Sequence, residues 1–293
     1  MDWLRDLEKL FDDAVKSVCE PEVGVIFSSG VDSALVAYAA AKHAKVIAYH
    51  VGVEGAEDTK FAKRVGESAP FRIRYLTLSL EDVENLVPKV LSLLDEADPI
   101  DVGVGIPFYA ASEAAKEDGH KVMLCGQGGD ELFGGYWRYL ESMAKEGPEA
   151  VASWMEKDWE NAYEDNLDRD IAMNKANGCQ LRFPYLDKGF SDYVRRMPLD
   201  LKIREVNGEE DADGLTPDEI GGRRFIRKYA LKRLATRMGV PDYVADRVKK
   251  AAQYGSGTNK ALDKIARMKG YREKAKKAGR TDYLRMYVEE KKR

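Results

Sequence analysis

At 293 residues, 44% of them hydrophobic, the chain is long enough to bury a large core, either as one α/β domain or as a domain with a helical appendage. A formal net charge of −4 argues against broad electrostatic capture of nucleic acid, and no stretch approaches the eighteen or so uninterrupted apolar residues of a membrane span. Cys19, Cys125 and Cys179 are too few and too widely spaced for a disulfide framework or a CxxC zinc site and are expected to be buried thiols.

The charged, amphipathic start, Met1-Asp2-Trp3-Leu4-Arg5-Asp6, is unlike a signal peptide, so a cytoplasmic location is expected. Leu4, Leu7, Leu10, Phe11, Ala14, Val15 and Val18 share one helical face, which Pro21 ends. From there the pattern predicts a strand over 23–27, a helix over 32–43, a strand over 46–51, a helix over 57–68 and a strand over 72–78. Helices over 81–94 and 107–118 and a strand over 121–125 follow. Repeated strand, helix, strand with short links implies an α/β fold: a parallel twisted sheet with helices on both faces. In such sheets ligands lie beyond the carboxyl ends of the strands.

After Tyr136 the segments read as helices rich in Trp, Tyr and charge, without another convincing strand. Three regions are therefore expected: an amphipathic helix over 1–20, an α/β core over 21–140 and a helical region over 141–293. Residues 205–222, with Glu209, Glu210, Asp211, Asp213 and several glycines, lack apolar periodicity and are expected to form an excursion, as a lid or an insertion. Arg223, Arg224, Arg227, Lys228, Lys232, Arg233 and Arg237 read as a solvated helix face, with phosphate or partner contact as the alternative.

Two segments carry the chemistry. Ser28-Ser29-Gly30-Val31-Asp32-Ser33 follows the first predicted strand, and its small residues let backbone N–H groups and hydroxyls approach an anion, with phosphate the expected ligand. Asp32 would repel a phosphate unless a divalent cation, Mg²⁺ by preference, lay between them; alternatively it only caps the helix that follows. Gly126-Gln127-Gly128-Gly129-Asp130-Glu131-Leu132-Phe133-Gly134-Gly135-Tyr136 joins glycines to acids after another strand and places Asp130 and Glu131 to share a metal with Asp32. Two later blocks complete the set: Arg182-Phe183-Pro184-Tyr185-Leu186-Asp187, and Arg247-Val248-Lys249-Lys250 with Gln253-Tyr254-Gly255-Ser256-Gly257.

These four blocks, in this order, resemble the SGGxDS, SGExxDELFGGY, RxPFLD and RxK–glycine segments of the synthetase domain of asparagine synthetases, within the adenine nucleotide α-hydrolase-like, or PP-loop, ATP pyrophosphatases. The resemblance implies ATP and Mg²⁺ as cofactors, with nucleotide contacts from Phe27, Ser28, Ser29, Gly30, Val31, Asp32, Ser33, Val51 and Gly126. It implies metal binding by Asp32 and Asp130, and catalytic roles for Lys249, Asp187 and Gln127. For Asp187 a turn or cap role is the alternative, and for Lys249 a surface one.

The implied reaction is adenylation of a carboxylate, aspartate by default, with release of pyrophosphate, then displacement of AMP by ammonia. Gln127 stands where the family often has glutamate, and an amide cannot act as a general base. The family's N-terminal glutaminase domain, with a cysteine after the initiator Met, is not expected here because Asp2 follows Met1. Ammonia would come from solution or from a separate glutaminase chain; the small-molecule acid is the other partner, and a homo-oligomer is left open. A tRNA-modifying ATP pyrophosphatase and a non-catalytic nucleotide-binding subunit are the alternative readings.

Overall fold

In the computed structural model, which describes residues 2–208, 212–247 and 255–292, the alternation is realised. Helix α1 (Trp3–Val18) buries Leu7, Phe11, Ala14 and Val15, and its first turn is capped by the Asp2 side chain. Strand β1 (Glu22–Ile26), helix α2 (Val31–Ala40), strand β2 (Lys45–Val53), helix α3 (Glu57–Gly66) and strand β3 (Arg72–Leu78) follow where the pattern puts them. Helices α4 (Leu80–Leu91) and α5 (Pro99–Glu117) lead into strand β4 (Val122–Leu124). Helix α5 begins well before the expected residue 107, because Asp98 caps it through the Ile100 and Asp101 amides and Pro99 fits its first turn. Pro107 therefore lies inside the helix and removes the bond to the Gly103 carbonyl. That carbonyl is satisfied instead by the Thr258 hydroxyl, at 2.7 Å.

Beyond β4 come α6 (Gly129–Phe133), α7 (Trp137–Lys145), α8 (Pro148–Glu160), α9 (Asp168–Ala176), strand β5 (Gln180–Arg182) and α10 (Lys188–Arg195). Strands β6 (Ile203–Glu205), β7 (Asp218–Ile220) and β8 (Arg223–Arg227) precede α11 (Tyr229–Arg237) and α12 (Asp242–Ala245). Helices α13 (Thr258–Met268), α14 (Tyr271–Lys277) and α15 (Tyr283–Lys292) close the chain.

The main sheet has the order β3-β2-β1-β4-β5 with every neighbouring pair parallel. Alternation along the strands divides the core. Val23, Val25, Val46 and Ala48 face α1, α2, α10 and α11, whereas Ile26, Tyr49, Val51 and Met123 face α4, α5, α9 and α13. The chain runs outward from β1 to β3 on one side and from β4 to β5 on the other. The crevice beyond the carboxyl ends of β1 and β4 is thus the topological switch point.

The expectation of no strand after Tyr136 is corrected. β5 completes the parallel sheet, and β6-β8-β7 form a separate antiparallel sheet. The described part of 205–222 is tied down rather than free: β7 pairs with β8, Arg227 holds Asp218 at 2.8 Å, and the Thr216 hydroxyl donates to Asp246 at 2.6 Å. Glu209, Glu210 and Asp211 lie outside the described residues. The basic stretch is also not a solvated face. Arg223 pairs with Glu205, Arg227 with Asp218, Lys228 with Asp32 and Asp130, Lys232 with Asp246, and Arg237 with Glu8. All three cysteines are free thiols; Cys125 and Cys179 are buried and Cys19 is partly so.

Candidate functional site

The phosphate-type loop grows from the end of β1. Phe27 N extends the pairing by donating to Tyr49 O at 2.9 Å, after which Ser28–Gly30 turn the chain into α2. Gly30 is the N-cap and makes no side-chain cap bond, and Asp32 sits in the first turn. The cap reading of Asp32 is thereby excluded. Every residue of α2 except Asp32 is buried, so the only strongly polar side chain of that turn is the one left beside the crevice. The hydroxyls of Ser28 and Ser33 are 3.1 Å apart, and Ser33 also donates to Gly30 O at 3.2 Å. The first-turn amides of α2, with the helix dipole behind them, are arranged for an anion.

Ser29 does something different from the other loop residues. It is fully buried, adopts φ 60°, and turns its hydroxyl to its neighbour's carbonyl, Ser28 O, at 2.6 Å. Arg247 donates to that hydroxyl at 2.6 Å and to Ser29 O at 3.2 Å, pairs through its other nitrogen with Asp58, and lies over the Phe61 ring. The expected role of Ser29 as a phosphate donor is corrected: it fastens the loop to Arg247 from below. A non-glycine residue in the left-handed region costs roughly 1–2 kcal/mol, and a hydrogen bond contributes about 1 kcal/mol net. Ser29→Gly should therefore leave stability within about 1 kcal/mol of the parent, the strain relieved offsetting the bond lost. Ser29→Ala keeps the strain and loses the bonds, and should cost about 2 kcal/mol in urea unfolding.

The second loop leaves β4 at Cys125 and enters α6 through Gly128, φ 93°, which brings Asp130 into the first turn of that helix. A Cβ at Gly129 would overlap the Asp32 carboxylate, and one at Gly135 would overlap both the Asp130 carboxylate and the Lys228 side chain. Glycine at these two positions is what lets the loops close on each other.

Between the two acids stands Lys228, which sequence reasoning missed. Its Nζ is 2.5 and 2.6 Å from the two Asp32 oxygens and 2.6 Å from Asp130 Oδ1. The side chain is 3% exposed. Lys228 has φ 56° at the junction of β8 and α11, and its N–H is anchored on Phe133 O at 3.1 Å. Burial alone would lower the ammonium's pKa, but the Asp130 and Asp32 charges outweigh it and hold the pKa above its ordinary value. The one available signal was local: Lys228 is flanked by Phe225, Ile226, Tyr229 and Ala230, an unusual setting for a solvated lysine.

At the β2 end, His50 donates through Nδ1 to Phe27 O at 2.9 Å and accepts at Nε2 from the Thr59 hydroxyl, 3.2 Å away. Phe27 O can only accept, which fixes the tautomer. Burial pushes the imidazole pKa down, so this wall is neutral. At the opposite end Gln127 donates to Asp170 at 2.5 Å. Arg169 donates to the other oxygen of Asp170 at 2.8 Å and reaches Asp101 of α5 at 2.9 Å. Asp170 is fully buried, and burial raises its pKa despite the Arg169 charge and the Gln127 bond.

These walls enclose a cavity of about 280 Å³. Phe27, Ser28, Gly30, Val31, Asp32, Ser33, Val51, Gly126, Gln127 and Asp130 all line it, together with Lys228, Arg169 and Arg247. Asp187 does not. Its carboxylate accepts from Phe190 N at 2.9 Å as the N-cap of α10, so the catalytic expectation gives way to the cap reading. Lys249 lies outside the described residues. Among the described residues no group of three or more His, Cys, Asp or Glu side chains is arranged for a metal. The pair Asp32 and Asp130 nonetheless already converges on one cation, and two carboxylates completed by phosphate oxygens and water are a donor set that suits Mg²⁺. No described helix is long and apolar enough to cross a membrane.

The chain is 40% identical over 266 residues to the "Putative asparagine synthetase 1" of Methanocaldococcus jannaschii, named as glutamine-hydrolyzing, covering 86% of this chain and 49% of that protein. It is 29% identical over 210 residues to the glutamine-hydrolyzing asparagine synthetase of Asparagus officinalis, covering 67% of this chain and 35% of that protein. A solved NMN synthetase from Francisella tularensis is 13% identical with a TM-score of 0.35, over 68% of this chain and 96% of that one. The chain spans about half, or less, of the length of these curated synthetases. The asparagine synthase family model matches residues 6–150 and 140–291, nearly the whole sequence. With that match and the 40% identity to the Methanocaldococcus jannaschii protein, the chain belongs to the asparagine synthase family.

Proposed function

We propose that this chain is an ATP-dependent ligase that adenylates a carboxylate and then forms an amide with ammonia. The observation that carries the reading is the convergence of Asp32 and Asp130, from two loops about a hundred residues apart, on one cation in the switch-point crevice. The loop 28–33 binds the nucleotide's phosphates through amides and hydroxyls, and Val51 and Phe27 flank the base beside neutral His50. Mg²⁺ held by Asp32 and Asp130 would supply neutralisation of the pyrophosphate as it leaves. A carboxylate oxygen of the acid attacks the α-phosphorus, the bond to the bridging oxygen of the β-phosphate breaks, and pyrophosphate departs. Ammonia then attacks the acyl carbon, AMP leaves, and a proton from the nitrogen passes to solvent. Gln127 orients the acid rather than taking a proton, because its amide is not a base. Lys249 steadies charge on the α-phosphate and on the tetrahedral carbon.

Pyrophosphate release from Mg²⁺-ATP, with aspartate as the reference acid in a panel and ammonia in excess, tests this. Asp32→Ala should abolish release. Lys249→Ala should spare ATP binding and slow adenylation by roughly 10²–10³-fold, the range for a lost transition-state donor. Equal, small losses in the two variants would mean that the roles are misassigned.

A further inference from the structure

Two neighbouring residues of α3 hold the start of the phosphate loop. Asp58 and Thr59 stand in the first turn of that helix, whose N-cap is Ala56 with no side-chain cap bond. Their side chains turn to the loop instead. Thr59 donates to His50 Nε2 at 3.2 Å, and His50 donates to Phe27 O, the carbonyl just before Ser28, at 2.9 Å. Asp58 accepts from Arg247 Nη2, while Arg247 Nη1 donates to the Ser29 hydroxyl at 2.6 Å and to Ser29 O at 3.2 Å. The first turn of α3 thus reaches the loop at residues 27 and 29, each time through one intervening side chain.

The Asp58 carboxylate has little freedom to move. Asp58 is 6% exposed, and Phe61 of the same helix lies under the Arg247 guanidinium at 4.0 Å. Gly255 closes the far side, where a Cβ would overlap the Asp58 carboxylate. The backbone there is fixed to the end of β2, since Val53 N donates to Ser256 O at 2.7 Å. Boxed in this way, the carboxylate sets where the guanidinium lies. Ser29, at φ 60°, needs such a hold, because a strained backbone persists only where its surroundings over-determine it.

Resting on the adenylating reading above, we infer that Asp58 is a positioning residue for attack at the α-phosphorus: it acts through Arg247 on Ser29 to set the phosphate loop. The first-turn amides of α2 that bind phosphate are placed by a helix buried in the core, so ATP affinity does not depend on Asp58. Alignment of the reacting atoms does, and a misplacement of about 1 Å can slow a reaction about 10²-fold.

The test is pyrophosphate release by the whole chain with Mg²⁺-ATP, excess ammonia and the acid of the panel that the parent turns over fastest, with kcat and the KM for ATP read separately. Asp58→Asn, which keeps the shape and one acceptor oxygen, should lower kcat about tenfold or more and leave KM within about threefold. Gly255→Ala should reproduce that split with every charge retained, by pushing the carboxylate off Arg247. Ser29 meets Asp58 through Arg247, so Ser29→Ala and Asp58→Asn should be non-additive, the double variant matching the slower single one. In an Arg247→Met background, Asp58→Asn should change kcat by less than about twofold. Urea unfolding gives the folded fraction to which each kcat is referred. A loss of stability with kcat per folded molecule unchanged, or additive losses in the Ser29 cycle, overturns the role of Asp58 and leaves the ligase reading standing. Absence of release by the parent with every acid overturns the ligase reading and the role with it.

Discussion

Lys228→Met is expected to cost about 3–5 kcal/mol of folding stability, the usual loss when one partner of a buried ion pair is removed. Methionine keeps the length and the apolar stem of lysine, so the change isolates the charge. With the ammonium gone, the carboxylates of Asp32 and Asp130, each only 20% exposed, face one another across the space that Nζ bridged at 2.5–2.6 Å. Two like charges that close destabilise the folded state in proportion to their burial.

The same substitution should create a new dependence on Mg²⁺. In the parent the ammonium already bridges the two acids and fills the space between them, so Mg²⁺ without nucleotide should shift urea unfolding little. In Lys228→Met a divalent cation is the natural replacement, and at a hundred times its dissociation constant it should recover about 2.7 kcal/mol. Pyrophosphate release should fall in step with Asp32→Ala. A variant as stable as the parent, with no response to Mg²⁺, would show that Lys228 does not bridge the two acids.

How visible this site is in the sequence depends on how each residue is held. The Ser28–Ser33 and Gly126–Tyr136 loops are legible because tight turns at strand ends demand small residues in a fixed local spacing, and β1 and β2 are legible because burial on both faces makes short apolar runs. Strand β5 is not legible. Gln180-Leu181-Arg182 has no strand pattern of its own, and its conformation comes from pairing with Val122, Met123 and Leu124 of β4. The early start of α5 was hidden by Pro107, which resembles a helix start until the Thr258 hydroxyl is seen to satisfy Gly103 O. Lys228 was hidden by distance: Asp32 is 196 residues away along the chain, and within a run of arginines and lysines its apolar neighbours are the only local mark of burial. Ser29 was misread for a related reason, since its partner Arg247 is 218 residues away.

Gln127→Glu, which would install the acid that the family often carries, is expected to destabilise this chain by about 3–5 kcal/mol at neutral pH. The reason is Asp170. The Gln127 amide donates to its carboxylate at 2.5 Å in a fully buried setting, and an ionised glutamate would present an acceptor and a second negative charge to that oxygen. Gln127 thus has a physical cause: beside a buried aspartate, the amide is the isostere that can donate.

The sign of the pH effect follows. Burial already raises the Asp170 pKa, and a neighbouring glutamate raises it further, so a shared proton replaces the lost amide donor as pH falls. The deficit of Gln127→Glu relative to the parent should therefore be largest near pH 8 and shrink toward pH 5. Asp170→Asn supplies the complementary test. In the double variant the introduced asparagine amide donates to the introduced glutamate while its oxygen accepts from Arg169 Nε, which restores both bonds with donor and acceptor exchanged. Arg169 still holds Asp101 at 2.9 Å. A double-mutant cycle in urea should then show a favourable coupling of roughly 2–3 kcal/mol, near the upper end for residues in direct contact. Additive losses in the cycle would mean that Gln127 does not depend on Asp170, and the account of why glutamine stands at this position would fail.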